Sequence, residues 1–255
     1  MQRFKRIWLV PLGLCIALAA MAAVIEVPEA PANMTVVHLG GGGGGASGGE
    51  ITFIAGSAAN NGGSASNTGE VPMPVGTQAG DIMIALIADD YTNKVFSLEG
   101  WTKVATSVNG VECESNVFYR IAEAEEAGPY TFEDESSNNR SINTVIGTFR
   151  TSSGTWDTTS LLADDTTNTS TGSASITTTS ITCPASSMLI TGFMHESARS
   201  VSEGPTDMTQ VGISNSGSTS AVMYYEARSA GAVTKTIEWS SSDALTAHAL
   251  YLVLE

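Results

Sequence analysis

A chain of 255 residues with 42% hydrophobic side chains has enough apolar material for a core, which excludes wholesale disorder. Its 26 acidic residues outnumber 11 basic ones, for a net charge of −15, and no Lys/Arg cluster follows Arg6, which excludes nucleic-acid binding through phosphate contacts. Charged residues make up only 15% of the chain, so its surface polarity comes from Ser, Thr, Asn and Gly, and the acidity fits solubility in a salty or extracellular medium.

Arg3, Lys5 and Arg6 precede the apolar run Ile7 to Ile25. Residues 1–25 therefore read as a signal peptide, with Ala20-Met21-Ala22 as a small-residue cleavage site, or as an uncleaved apolar helix that anchors the chain in a membrane through residues 7–25. Both fates stay open, as does a translation start at Met34 that removes the segment. Cys15 does not fit lipidation, because Leu14 is too large for the residue before a lipidated Cys.

Residues 26–49 read as a flexible tether, with Pro28 and Pro31 followed by a nearly pure glycine tract from Gly40 to Gly49. Gly45-Ala46-Ser47-Gly48-Gly49 satisfies the nucleophile-elbow pattern by composition alone. That chemistry needs a strand-to-helix turn, and no amphipathic helix follows.

From Glu50 the chain reads as strands. Ile51 and Phe53 alternate with Thr52, and a Gly/Asn/Ser-rich loop follows through Gly69. Ile82 to Ala88 is a continuous apolar run bounded by turn residues, as expected of a strand buried on both faces. Val117, Tyr119 and Ile121 alternate with Phe118 and Arg120. Ile121 to Ala127, the one helix-like stretch, is stopped by Gly128-Pro129. Thr151 to Ser180, rich in Thr and Ser, reads as a linker. Ile237 and Trp239 alternate with Thr236 and Glu238, and the closing segment sets Leu250, Leu252 and Leu254 on one face.

These strand-like segments occur twice. Asp81–Asp90 lines up with Ser187–Glu196, Trp101–Val104 with Met208–Val211 and Ser115–Tyr119 with Ser220–Tyr224. Tyr130–Glu133 then lines up with Lys235–Glu238, and Thr144–Phe149 with His248–Val253, all at offsets between 104 and 107. The halves run from about 71–150 and 181–255. An order of strands repeats without any polar constellation, which describes a scaffold. One half alone would expose an apolar sheet face, so residues 50–255 are expected to form one antiparallel β-sandwich with internal pseudo-duplication.

Residues 51–255 also resemble a module of phage virion proteins and bacterial surface proteins. The resemblance is carried by Pro74–Ala85, Gly100-Trp101-Thr102, Val117–Ala122 and Pro129–Phe132, with a second set at Ser187–Ile190 and Ala249–Leu254. It implies a jelly-roll-like β-sandwich of tail, fibre or decoration proteins, or of exported adhesive proteins, and it transfers no catalytic residue. The export-like front end departs from virion proteins unless the chain starts at Met34.

Few residues are candidates for chemistry. Asp89-Asp90 and His195-Glu196 end equivalent strands, so Asp89, Asp90 and Glu196 are candidate ligands for Ca²⁺, which wants several carboxylate oxygens. Glu123, Glu125 and Glu126, then Glu133, Asp134 and Glu135, and the pair Asp164-Asp165 read as solvated acidic faces. Tyr91 and Trp156 lie in loop-like sequence and are candidate sugar-stacking residues, whereas Trp101, matched by Met208, reads as core. His38 lies beside the tether, and His248 reads as a packed or edge histidine inside the last strand. Cys113 and Cys183 either form a disulfide across the halves or stay as separate thiols; both readings stay open.

The expectation is a non-catalytic structural or interaction protein, extracytoplasmic or virion-borne, that needs no cofactor. It would contact other virion or surface proteins through its loops, with a homo-oligomer as the expected assembly. The alternative is a cell-surface adhesin or carbohydrate-binding module whose partners are glycans, assisted by Ca²⁺.

Overall fold

The computed structural model describes residues 50–61, 67–92, 96–135, 141–152, 154–163 and 166–255. The readings of residues 1–49 as signal, anchor and tether lie outside the described residues, as do His38, Asp164 and Asp165. The first half contains β1 (Ile51–Asn60), β2 (Thr68–Val71), β3 (Ile82–Asp89), β4 (Phe96–Ser97), β5 (Thr102–Asn109), β6 (Cys113–Ile121), β7 (Tyr130–Asp134) and β8 (Ile142–Thr151). After the short helix α1 (Thr158–Ala163) come β9 (Thr166–Thr177), β10 (Ile181–Cys183), β11 (Ser187–His195), β12 (Val201–Glu203), β13 (Thr209–Ser216), β14 (Thr219–Arg228), β15 (Gly231–Val233) and β16 (Thr236–Leu252). The described residues are all-β and sandwich-like, and the strand pairs are antiparallel.

Strand order repeats between the halves. The first main sheet runs β1-β8-β3-β6-β5, and the second runs β9-β16-β11-β14-β13, the same order displaced by eight strands. A small sheet, β2-β7-β4, covers the outer face of the first. In the second half these elements are fused. The start of β16 takes the place of β7, pairing Ile237 with Ile176 of β9 and Trp239 with Val201 of β12. The strand then shifts register around Asp243 and enters the main sheet. The expected Thr/Ser-rich linker thus contains α1 and the 12-residue strand β9. As an edge strand facing solvent it needs no apolar alternation, and β-branched Thr suits a pleated surface.

Apolar side chains fill three layers. Between the main sheets, Ile84, Leu86 and Phe149 of one half meet Ile190, Met223 and Leu250 of the other in one core. The outer face of the first sheet buries Met83, Ile87 and Ile146 against Trp101, Tyr130 and Phe132. The outer face of the second buries Phe193, Val222 and Leu245 against Ile176, Ile237 and Trp239. Consequently β3 and β11 are buried along their whole length, as the continuous apolar run Ile82–Ala88 foretold for β3. The main sheets come close at Gly56, where an added Cβ would lie 2.3 Å from the Val211 carbonyl oxygen, so only glycine fits there.

Backbone detail follows the same repeat. Left-handed φ values occur at Gly80 and Ser186 before β3 and β11, at Gly100 and Asp207 before β5 and β13, and at Gly110 and Gly217 in the hairpins that follow. A bulge interrupts β5 between Lys103 and Ala105, and its counterpart interrupts β13 between Gln210 and Gly212. Another interrupts β1 between Phe53 and Ala55. Such shifts sit on edge strands, where they discourage further strand pairing.

The registers correct the sequence alignment at two strands. Ser115 pairs with Ala88, and Ala221 pairs with Met194, so Ser115 corresponds to Ala221 and not to Ser220. Likewise Phe149 pairs with Ile82 and Leu252 with Met188, which makes Leu252, not Val253, the counterpart of Phe149. A one-residue slip moves every side chain to the other face of a sheet.

The registers also give the body two ends. Ile51 lies opposite Thr151, and Ile82 opposite Phe149, at the end where Met188 pairs with Leu252. That base holds the first described residue, Glu50, and Glu255, whose amide bonds to the Thr155 carbonyl. At the opposite tip β3 and β11 finish, and the β5–β6 and β13–β14 hairpins turn.

Candidate functional site

The polar groups with the most chemical character gather at the tip and between the main sheets. Asp89, the last residue of β3, is fully buried, and Asp90 accepts a short hydrogen bond from the Ser218 hydroxyl in the β13–β14 turn. At the matching end of β11, the His195 ring is fully buried. Its Nδ1 accepts from the Ser197 amide at 3.0 Å, which leaves Nε2 to donate to the Ser241 carbonyl at 3.0 Å. Next to it, Glu196 shares a hydrogen bond with Asp243 and faces Glu112 of the β5–β6 turn. Burial and the Asp243 carboxylate push the Glu196 carboxyl up to about 7. Asp243 moves the opposite way: although burial works against it, hydrogen bonds from Ser197 and Glu196 hold it below the ordinary carboxylate value. The opposite shifts make Glu196 the protonated partner and Asp243 the ionised one when the pair carries one proton.

Such a pair can hold a proton between two strands. Among the described residues, no three His, Cys, Asp or Glu side chains converge to hold a metal ion. The calcium candidates are thus divided: Asp90 is bonded to Ser218, and Glu196 to Asp243, across the tip. Sequence reading missed Asp243, which lies in the Ser240–Asp243 stretch with no apolar pattern to position it.

Inside the body, Ser115 of β6 and His248 of β16 meet at 2.8 Å between the main sheets, and Thr246 joins the Ser115 hydroxyl. His248 is fully buried, its Nδ1 makes no hydrogen bond, and burial lowers it to about 4, against the raising effect of Ser115. A neutral imidazole against a serine hydroxyl resembles half of a nucleophilic pair. Buried between the main sheets, the pair joins β6 to β16.

The remaining candidates fall into structural places. Trp156 is only 9% exposed, packs in the central core and donates its indole N–H to the Gly80 carbonyl at 2.8 Å. It cannot stack on a sugar; its loop-like sequence concealed a bridge to Leu254 that brings it inward. Tyr91 is 40% exposed at the tip. Trp101 lies in the core beneath the small outer sheet, edge-on to Tyr130. Glu126 departs from the solvated acidic face expected there: it pairs with Arg120 at 3.0 Å and accepts from the Tyr130 hydroxyl at 3.0 Å. Glu123, Glu125, Glu133 and Glu135 are exposed, while Asp134 is buried.

Cys113 and Cys183 are both buried free thiols, one in the central core and one beneath Leu189 and Tyr251, so the bridge between the halves is not formed. Burial raises both thiols, Cys113 well above the ordinary value. In the second half, Glu226 takes the place of Arg120 and pairs with Lys235 at 2.8 Å and Arg228 at 3.0 Å, inverting the charges. Two open depressions, of about 430 and 420 Å³, flank this region of the first half and are lined by Arg120 with Glu123 to Ala127, and by Leu98, Glu99 and Tyr130. Among the described residues no helix is long and apolar enough to cross a membrane. No family model, curated protein or solved structure matches this chain.

Proposed function

We propose that this chain is a non-catalytic structural or interaction protein, a β-sandwich borne on a virion or outside the cell, that makes contacts through its loops. The observation that carries the reading is the polarity of the body. Glu50 and Glu255 lie at the base, and the loops that end β3 and β11 lie at the tip. A body attached at its base presents the opposite end to partners. The reactive groups are also spent internally: His195, His248, Glu126, Glu226 and Lys235 all serve contacts that hold strands together. Each half is wound as a jelly roll in this reading; the order β1-β8-β3-β6 facing β2-β7-β4 supports that winding.

Immunogold labelling of the producing particles or cells, with an antibody to residues 50–255, tests the reading. Label on virions or on the outer cell surface supports it. Label confined to the cytosol, or hydrolysis of a polysaccharide by the purified chain, would replace it. A glycan array with and without chelator adds a further arm, since glycan binding lost with chelator favours a calcium-assisted adhesin.

A further inference from the structure

We infer that the tip is a docking surface for a protein that presents apolar side chains flanked by Lys or Arg. The inference rests on the reading above and specifies where contact is made. Four large hydrophobic side chains are exposed among the described residues: Val75, Tyr91, Val108 and Val111. Three of the four are at the tip. Tyr91 follows the end of β3, Val108 is next to the last residue of β5, and Val111, 74% exposed, sits in the hairpin between β5 and β6. Their neighbours in the same hairpin are fixed: Asn109 donates to the Ser170 carbonyl at 2.7 Å and to the Leu245 carbonyl at 3.1 Å. The hairpin is held on the opposite half while its valines point outward, so the apolar surface is preorganised and loses little freedom on binding.

The rim of this surface determines its partner. Asp90, Glu112, Glu196 and Asp243 surround the hairpin ends. One described cation is at this end, Arg199, and its guanidinium is engaged with the Ser241 hydroxyl at 2.8 Å. Among the described residues this rim is predominantly negative, which disfavours tip-to-tip pairing of two copies, because like charges would meet. It favours a basic partner with apolar anchors. Sugar recognition needs an aromatic platform, and the tip offers Tyr91 without Trp156, which is buried.

The test uses the full chain with short random peptides displayed on phage as the probe. Enriched peptides are synthesised and titrated against the wild type, Val111→Asp, Tyr91→Ser and Val75→Asp. Val111 and Val75 are highly exposed, so these substitutions leave the fold intact, and Val75 at the base serves as the control. The expected winners combine Lys or Arg with aliphatic or aromatic residues. Val111→Asp and Tyr91→Ser should each weaken them about tenfold, as loss of an interface anchor does. Val75→Asp should leave them unchanged, and salt at about 0.5 M should weaken binding through screening. The inference is overturned if no peptide is enriched, if the winners bind Val111→Asp as well as the wild type, or if a glycan binds in a Val111-dependent way instead. Immunogold location is unaffected by Val111→Asp, so a failed tip and a failed surface location are told apart.

Discussion

Ser107 and Ser214 occupy the same place in the two halves. Each sets its hydroxyl against a backbone carbonyl on the first strand of the opposite half: Ser107 lies 3.3 Å from the Asn168 oxygen, and Ser214 lies 2.7 Å from that of Ala59. Ser214 also lies 2.6 Å from Asn143 Oδ1, while Asn143 donates to the Ser216 and Thr219 carbonyls. These reciprocal bonds put polar groups at the rim of the interface and leave its centre to Leu86, Ile190 and Phe149. Removing the Ser214 hydroxyl strands buried acceptors, so Ser214→Ala should cost about 2 kcal/mol. Ser107→Ala, losing a longer bond, should cost less. Guanidinium unfolding of the two variants checks the order.

Ser186 and Asp207 adopt left-handed φ values of 60° and 65°, where the first half has Gly80 and Gly100. A side chain in that region costs about 1–2 kcal/mol, partly offset by the larger entropy that glycine loses on folding. Ser186→Gly should therefore stabilise by about 0.5 kcal/mol, with a smaller gain for Asp207→Gly because Asp tolerates the conformation better. Gly100→Asp should destabilise, since its Cβ would lie 1.9 Å from Arg120 Nη1, and Glu126 and the Glu99 carbonyl hold that guanidinium in place. Thermal melts of the three variants decide it.

Glu196 holds its proton more tightly when folded. Its contribution is complete below the ordinary value of 4.5 and is lost as pH rises through about 7. Asp243 contributes in the opposite sense, above its ordinary value, and loses that as pH falls. Between pH 5.5 and 8.5 the melting temperature of the wild type should thus fall relative to that of Glu196→Gln, which cannot ionise. Parallel curves for the two proteins would mean that the pair does not share a proton.

His248 acts on the acid side. Burial lowers it from 6.5 to about 4, so the unfolded chain takes up a proton that the folded chain refuses, and stability drops as pH falls through that window. His248→Gln keeps a hydrogen-bonding partner for Ser115 and removes the titration. Its melting temperature should change less between pH 6.5 and 4 than that of the wild type.

Much of the architecture was legible in the sequence because burial on both faces leaves a plain trace. Ile82–Ala88 reads as a strand without help from neighbours, and Ser187–Glu196 follows from its alignment with Asp81–Asp90. β9 was not legible: its Thr, Ser and Asn face solvent at a sheet edge, and the pairing with β16 is fixed by tertiary context. The alignment slipped by one residue at β6 and β14, where Ser115 and Ser220 look alike although Ala221 is the structural counterpart. The tip was half visible. Asp90 and Glu196 stood out as acidic strand ends, but Asp243 reaches Glu196 only because β16 bends from the outer layer into the main sheet. Trp156 was misplaced because a lone bridge to Leu254, invisible as a pattern, draws it into the core.

The most direct test of the account is whether the two halves unfold together, because the base, the tip and their reactive groups are held in place by the core they share. Guanidinium unfolding of the full chain should be followed by tryptophan fluorescence, which reports Trp101 and Trp239 on the two outer layers together with Trp156 in the central core, and by far-ultraviolet circular dichroism. It should be repeated for Gly192→Leu, whose new side chain would be driven into Leu86 across the interface, where even a Cβ lies 3.0 Å away. One coincident transition is expected in both proteins, shifted to lower denaturant in the variant. Two separated transitions in the wild type, or a variant in which only the second half is destabilised, would contradict it.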